Sequence, residues 1–186
     1  MKKGGAKMTI YIAFLRGINV GGHNKIKMQE LRNLLTNMGL DKVNTYIQSG
    51  NIVFQSEENA EQLQHQIEHE IRNYFVFSVT VILRTVTELE QIINNCPYPV
   101  NLLLEGESVH LSLLAKEPSK EGINHLLDFN SEMEECYIKG KEVYLYLRQG
   151  VRNSKLSSQL QKLGVPATAR NWKTIKKLET MVKAMQ

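Results

Sequence analysis

Cysteine, proline, tryptophan and long apolar runs are all scarce in this sequence: its 186 residues include two cysteines, four prolines and one tryptophan. Cys96 and Cys136 lie far apart with no Cys-x-x-Cys pair, which argues against a zinc ribbon or a disulfide scaffold. They are expected as two small core residues of a cytoplasmic chain. No apolar stretch approaches the ~18 residues that a membrane span requires, so no membrane contact is expected. Residues 1–7 are basic but lack the apolar centre of a signal peptide and are read as an extension outside the fold, with Met8 as an alternative start.

Apolar residues make up 42% of the chain and charged residues 23%. A chain of this size hides roughly 70% of its unfolded surface, which suffices for one medium domain or two small ones. The net charge of +4 conceals an asymmetry: residues 1–84 are mildly basic, 85–138 strongly acidic and 139–186 strongly basic. A basic final third suits a polyanionic partner. It suits equally a solvated face balanced by the acidic middle.

Residues 9–16 are apolar at both parities, the mark of a strand covered on both faces. Met28, Leu31, Leu34, Leu35 and Met38 then recur at helical spacing, with Gly39 as the stop. Residues 43–48 and 52–54 form a hairpin around Ser49-Gly50-Asn51. Leu63, Ile67, Ile71 and Tyr74 mark a helix over 57–74, residues 78–83 a strand, and Thr87 the N-cap of a helix ending near Asn95. After the proline-bearing connector 96–107 the order repeats: strand 109–114, helix 119–128, hairpin 134–138 and 142–148, helix 154–163, extended segment 165–170, and a final helix carrying Trp172, Ile175, Leu178, Val182 and Met185. The expected fold class is therefore α+β, with two ferredoxin-like β-α-β-β-α-β subdomains, 8–95 and 108–186, packed together, each with a trailing helix. Arg84 and Arg170 close equivalent segments. A monomer is expected, because the halves can cover each other's apolar faces.

Several stretches stand out as words: Leu15-Arg16-Gly17-Ile18-Asn19-Val20-Gly21-Gly22, then Lys25-Ile26-Lys27-Met28 with Leu31-Arg32, Thr45 to Phe54, Ser154-Lys155-Leu156, and Thr168 to Thr174. Through them the sequence resembles bacterial proteins carrying domain of unknown function 1697, over nearly its whole length. The resemblance implies an α+β fold with ferredoxin-like halves and implies no activity. Gly150-Val151-Arg152-Asn153 departs from the family's pattern.

The first candidate site is the loop after the first strand. Gly17 and Gly22 have G-x-x-x-x-G spacing, but His23-Asn24 stand where a nucleotide-hydrolysing loop needs lysine and a hydroxyl. The glycines do not fit a dinucleotide fingerprint either. There remain Arg16, Gly17, Asn19, Gly21, Gly22, Lys25 and Lys27 as binders of a phosphate or carboxylate, against a plain strand-to-helix turn. The second candidate is Arg148, Ser154 and Lys155 at a helix N-terminus, beside a Tyr144, Tyr146, Arg148 face suited either to ring stacking or to core packing. The third is Arg170 and Asn171, with Asn171 as N-cap and Arg170 either paired with an acidic group or directed into a cleft between the halves.

From these follow three functional readings. One is a binding protein for a phosphorylated or otherwise anionic small ligand, held in a basic cleft between subdomains by Arg16, Lys155 and Arg170. Another is an RNA or single-stranded nucleic-acid binder, with Tyr11 and Phe54 as stacking platforms, although no true RNP1 run is present. The last is a cofactor-independent enzyme with His23 as acid or base. No cofactor and no metal are expected, since His65 and His69 have i, i+4 spacing but lack a third ligand.

Overall fold

The computed structural model describes residues 6–186, so most of the extension read at residues 1–7 lies outside the described residues. The chain divides into two compact units: residues up to Glu90 with Leu178–Gln186, and Gln91–Lys177. The connector 96–107 belongs wholly to the second. Its own turn bonds, Val100 N–H to Tyr98 O, Leu102 N–H to Pro99 O and Glu107 N–H to Leu104 O, and the packing of Tyr98 on Tyr146 attach it there.

The first unit runs β1 (Thr9–Leu15), α1 (Met28–Asn37), β2 (Asp41–Tyr46), β3 (Asn51–Ser56), α2 (Ala60–Phe75), β4 (Val81–Thr85) and the start of α3 (Val86–Asn94), which passes into the second unit at Gln91. Its sheet has the order β2-β3-β1-β4 and is antiparallel throughout. As a central strand, β1 is apolar at both parities for a reason. Tyr11, Ala13 and Leu15 join a core with Leu31, Leu35, Leu63, Ile67 and Ile71, while Ile12 and Phe14 are fully buried on the other parity. Each fully buried leucine, isoleucine or phenylalanine among them contributes roughly 1.5–3 kcal/mol by leaving water.

Local signals end these helices much as expected, with two corrections. Asn59 caps α2 by accepting from the Gln62 N–H, and Gly39 follows α1 in the left-handed conformation. Tyr74, expected on the buried stripe of α2, is exposed instead, because Phe75 packs against the core there and the helix stops at a left-handed Val76. The N-cap of α3 is Thr85 and not Thr87. Thr85 Oγ1 accepts from the Glu88 N–H while Glu88 Oε2 accepts from the Thr85 N–H, a reciprocal capping box.

The second unit runs β5 (Ser108–Leu114), α4 (Lys120–Leu127), β6 (Glu134–Lys139), β7 (Glu142–Leu147), α5 (Lys155–Gln159), β8 (Ala167–Asn171) and the start of α6 (Trp172–Lys183), which passes into the first unit at Leu178. The helix expected over 154–163 is α5 continued by a 3-10 segment, Leu160–Leu163, ending at a left-handed Gly164. The sheet order β6-β7-β5-β8 repeats that of the first unit. Leu114, Leu126, Val143, Leu145, Leu147, Leu156 and Leu163 form its core. Both units are thus ferredoxin-like. Their registers agree as well: Arg84 lies opposite Ile12 on the central β1, and Arg170 opposite Leu111 on the central β5. In each unit the next residue, Thr85 or Asn171, caps the trailing helix.

Candidate functional site

The connection from β1 to α1 spans twelve residues, 16–27, whereas its counterpart from β5 to α4 spans five, 115–119. Within the longer loop Gly17, Asn19, Gly21, Gly22 and Asn24 all take positive φ. Gly21 and Gly22 are consecutive left-handed residues between Val20 and His23, which pair as an isolated bridge. Two such residues in a row are the requirement of a tight type I′ turn, and glycine meets it without steric cost.

Asn19 holds this loop in place. Its Nδ2 donates to Ile26 O at 3.0 Å and to Gln48 O at 2.8 Å, and its Oδ1 accepts from the Ile26 N–H at 2.9 Å. With both amide hydrogens and the oxygen engaged, Asn19 is a structural brace and not a ligand contact. It ties the glycine loop to the β2–β3 turn. Between them lies a depression of about 500 Å³ lined by Asn19, Gly22, Lys25, Ile26, Lys27, Glu30 and Gln48.

The N-terminus of α1 opens at this depression. Lys27 occupies its N-cap position with extended backbone and no side-chain capping bond. The other helices are capped by Asn59, Thr85, Ser119, Ser154 and Asn171. The first N–H groups of a helix carry a partial positive charge, and the exposed side chains of Lys25 and Lys27 add two formal charges. Arg16 and Gly17 are exposed at the end of β1, but neither lines the depression, and Gly21 lies outside its lining too. Of the first candidate set, the structure brings together Asn19, Gly22, Lys25 and Lys27. Glu30 and Gln48 were missed by the sequence reading. Glu30 looked like an ordinary first-turn acid, and Gln48 belongs to a turn thirty residues along the chain.

The second candidate set already has an anion, and it is the chain's own. Glu134 is buried, and its carboxylate accepts from Ser154 Oγ at 2.6 Å, the Lys155 N–H at 2.9 Å and the Leu156 N–H at 3.4 Å. The start of α5, read as a ligand site, is therefore closed by an internal carboxylate. Arg148 is engaged as well: it pairs with Glu135 at 2.8 Å, donates to Glu132 O and lies 4.3 Å over the Tyr146 ring. In the third set, Asn171 caps α6 by accepting from the Thr174 N–H. Arg170 is buried, and burial pulls its guanidinium down to about 10. It donates to Thr168 Oγ1 at 2.7 Å and to Ala169 O at 2.9 Å.

The ring faces needed for stacking nucleic acid are covered. Tyr11 is 5% exposed and Phe54 fully buried, stacked on each other with centroids 5.6 Å apart. Tyr144 is buried and donates to Ile92 O, and Tyr146 donates to Glu107. His23, the proposed acid or base, is exposed and does not line the depression. His65 and His69 line a separate groove of about 750 Å³ with Leu34, Met38 and Glu70. Among the described residues no group of three or more metal-ligand side chains occurs, and no helix is long and apolar enough to cross a membrane.

Fold and loop together define a class: an α+β chain of two ferredoxin-like units, the first bearing a long basic glycine loop. The family model described as "Protein of unknown function (DUF1697)" matches residues 8–144, and the chain belongs to that family. A solved structure of a conserved bacterial protein, SP0830 from Streptococcus pneumoniae, is 31% identical. That comparison covers 94% of this chain and 99% of the other, with a TM-score of 0.75. A further solved structure, an unknown protein from Galdieria sulphuraria, covers 89% of this chain at 8% identity and a TM-score of 0.28, too low to carry an argument. No curated protein matches the chain.

Proposed function

We propose that the protein is a cytoplasmic binding protein for a small anionic ligand, held at the glycine loop of the first unit. The observation that carries this is that Lys25 and Lys27 line a depression at the start of α1, the one α-helix among the described residues without a side-chain cap. The excess length of the loop adds support. The same fold makes the equivalent turn in the second unit with five residues, so twelve are not a requirement of the topology. A long loop kept on a rigid scaffold is where binding groups concentrate. Asn19 holds the loop through three hydrogen bonds, and a site whose shape the chain itself fixes avoids the cost of ordering a loop on binding.

The test is a thermal-shift and calorimetric titration of the whole chain with inorganic phosphate, pyrophosphate and small phosphate esters. A ligand at one hundred times its Kd adds about 2.7 kcal/mol to stability, a rise in Tm of roughly 5–11 °C for a protein of this size. The expected result is a saturable shift that disappears in the Lys25→Ala/Lys27→Ala variant while that variant's own Tm stays within about 1 °C, since both side chains are exposed. A shift that survives the double substitution, or no shift with any anion, overturns the proposal.

A further inference from the structure

The groove between α1 and α2 lies apart from the glycine loop and shares no lining residue with the depression there. It measures about 750 Å³. Leu34 and Met38 of α1 line it, as do His65, His69 and Glu70 of α2, with Glu58 just before that helix. His65 and His69 are both exposed and stand one helical turn apart, so they share a face of α2 with Cβ atoms about 5–6 Å from each other. Two imidazoles at that spacing can close on one metal ion, as in helical zinc sites. With Gln66, Ile67 and Glu68 between them they spell His-x-x-Glu-His, the order of one class of zinc peptidase. Glu68 does not fit that role. Its Oε1 accepts from the Val81 N–H at 2.9 Å, so it is committed to β4 and is no base over a metal.

Within one chain the histidine pair stays incomplete. Among the described residues no third histidine, cysteine, aspartate or glutamate joins it in a ligand group. Zinc takes four ligands in a closed site, so two must come from elsewhere. A second copy of the chain supplies them when its α2 lies antiparallel to this one, with a two-fold axis passing between His65 and His69. The symmetry then turns four imidazoles toward one point, two from each helix. His69 Nε2 lies 2.9 Å from the exposed Asn73 amide, a contact in reach of water that a metal bond replaces at small cost.

Charge favours the same orientation. The approach to α2 and its first turn expose Glu57, Glu58 and Glu61, and its last turn exposes Arg72. An antiparallel pair sets the acidic start of each helix against the basic end of the other, whereas a parallel pair sets like against like. The axis also brings the exposed Tyr74 beside the exposed Ala60 of the second copy, where a small side chain leaves room for the ring. Glu58 and Glu70, whose carboxylates have no partner among the described residues, offset the positive charge of a zinc ion held by four neutral rings. We propose that α2 is a dimerisation helix closed by zinc, in which His65 and His69 of two chains bind one Zn²⁺ ion between them. This site is independent of the anion site.

The test is sedimentation and calorimetry of the whole chain, without an affinity tag, in EDTA, in zinc chloride and in magnesium chloride. A monomer is expected in EDTA and a dimer with one ion per two chains in zinc. Magnesium, which prefers oxygen ligands, is expected to leave the monomer unchanged. His65→Ala and His69→Ala are each expected to weaken zinc-induced dimerisation by at least about tenfold, since either removes two of the four ligands. Their Tm in EDTA is expected to stay within about 2 °C of the parent, because both positions are exposed. Arg72→Glu is expected to weaken the dimer, and adding Glu61→Arg to restore it. One zinc ion per chain with no change in mass marks an adventitious two-histidine chelate and overturns the proposal. A dimer that forms in EDTA or survives both histidine substitutions overturns it too, as does a monomer at every zinc concentration. A double charge reversal that fails to recover the dimer overturns the antiparallel packing.

Discussion

Gly50 is the residue where backbone and packing constrain the chain most tightly. Its φ is +84°, and a Cβ placed there would sit 2.7 Å from Leu15 Cβ and 2.8 Å from Ile18 Cδ1. Both neighbours are buried, so neither can swing away freely. Gly50→Ala therefore combines a left-handed alanine, costing about 1–2 kcal/mol, with overpacking worth about 1–3 kcal/mol. A loss of roughly 2–5 kcal/mol in urea unfolding is expected; a loss below 1 kcal/mol would show that the turn relaxes. Gly17 and Gly22 differ in kind. They share the positive φ, but nothing stands within 4 Å of an added Cβ, so only the backbone conformation demands glycine there. Asn19 shows a similar division of labour. Its left-handed φ of 54° suits asparagine better than most residues, and its amide then joins segments thirty residues apart.

At the scale of elements, the informative contrast is between how α1 and α5 begin. The start of α5 is neutralised from within by Glu134, whose carboxylate accepts from Ser154 Oγ and two backbone N–H groups. Glu134→Ala would leave those donors buried without an acceptor. The expected cost is about 2–4 kcal/mol, read in chemical unfolding, with faster hydrogen exchange across 154–163. Unchanged exchange there would show that Ser154 alone suffices as the cap. Among the described residues no side chain caps the start of α1 in this way. Elements also explain which sequence signals worked. Asn171 is legible as a cap because capping is local, within three residues of chain, and Asn59 and Ser119 cap with the same local geometry. Thr85 and Thr87 fit an N-cap equally by composition, and only the Glu88 side chain turning back to the Thr85 N–H separates them.

For the whole molecule, duplication of one topology with unequal connections is the main fact. Both sheets have the same strand order and their buried arginines the same register, yet only the first unit elaborates its β1–α1 connection. Stability of the whole is also tied to pH through buried groups. His110 on β5 is half-buried beside Ser108 Oγ, and burial holds its pKa below the ordinary 6.5. The unfolded chain therefore takes up a proton first as pH falls. Its contribution is fully present above about pH 6.5 and is lost as pH drops from there toward the folded pKa, by at most about 1.4 kcal/mol per pH unit for one proton. Tm is expected to fall between pH 7.5 and 5.5, and His110→Asn to flatten part of that slope. An unaltered slope in the variant would place the titration elsewhere.

The sequence by itself determined the alternation of elements, the doubled β-α-β-β-α-β order, most helix ends, the central position of β1 and the glycine loop as the feature to explain. Those properties are written in short-range patterns: a period of two or of 3.6, a cap within three residues, a glycine where φ must be positive. Only the tertiary structure decided which charged groups stay open to a ligand. Arg170 and Lys155 carry the same positive charge as Lys25 in the sequence. Register buries Arg170 opposite Leu111, and a carboxylate twenty-one residues away occupies the backbone N–H of Lys155. Likewise Gln48 and Glu30 line one depression with Lys25 and Lys27, in a loop that Asn19 ties to a turn twenty-nine residues away. Burial and pairing depend on which segments the sheet brings side by side, and that information is non-local.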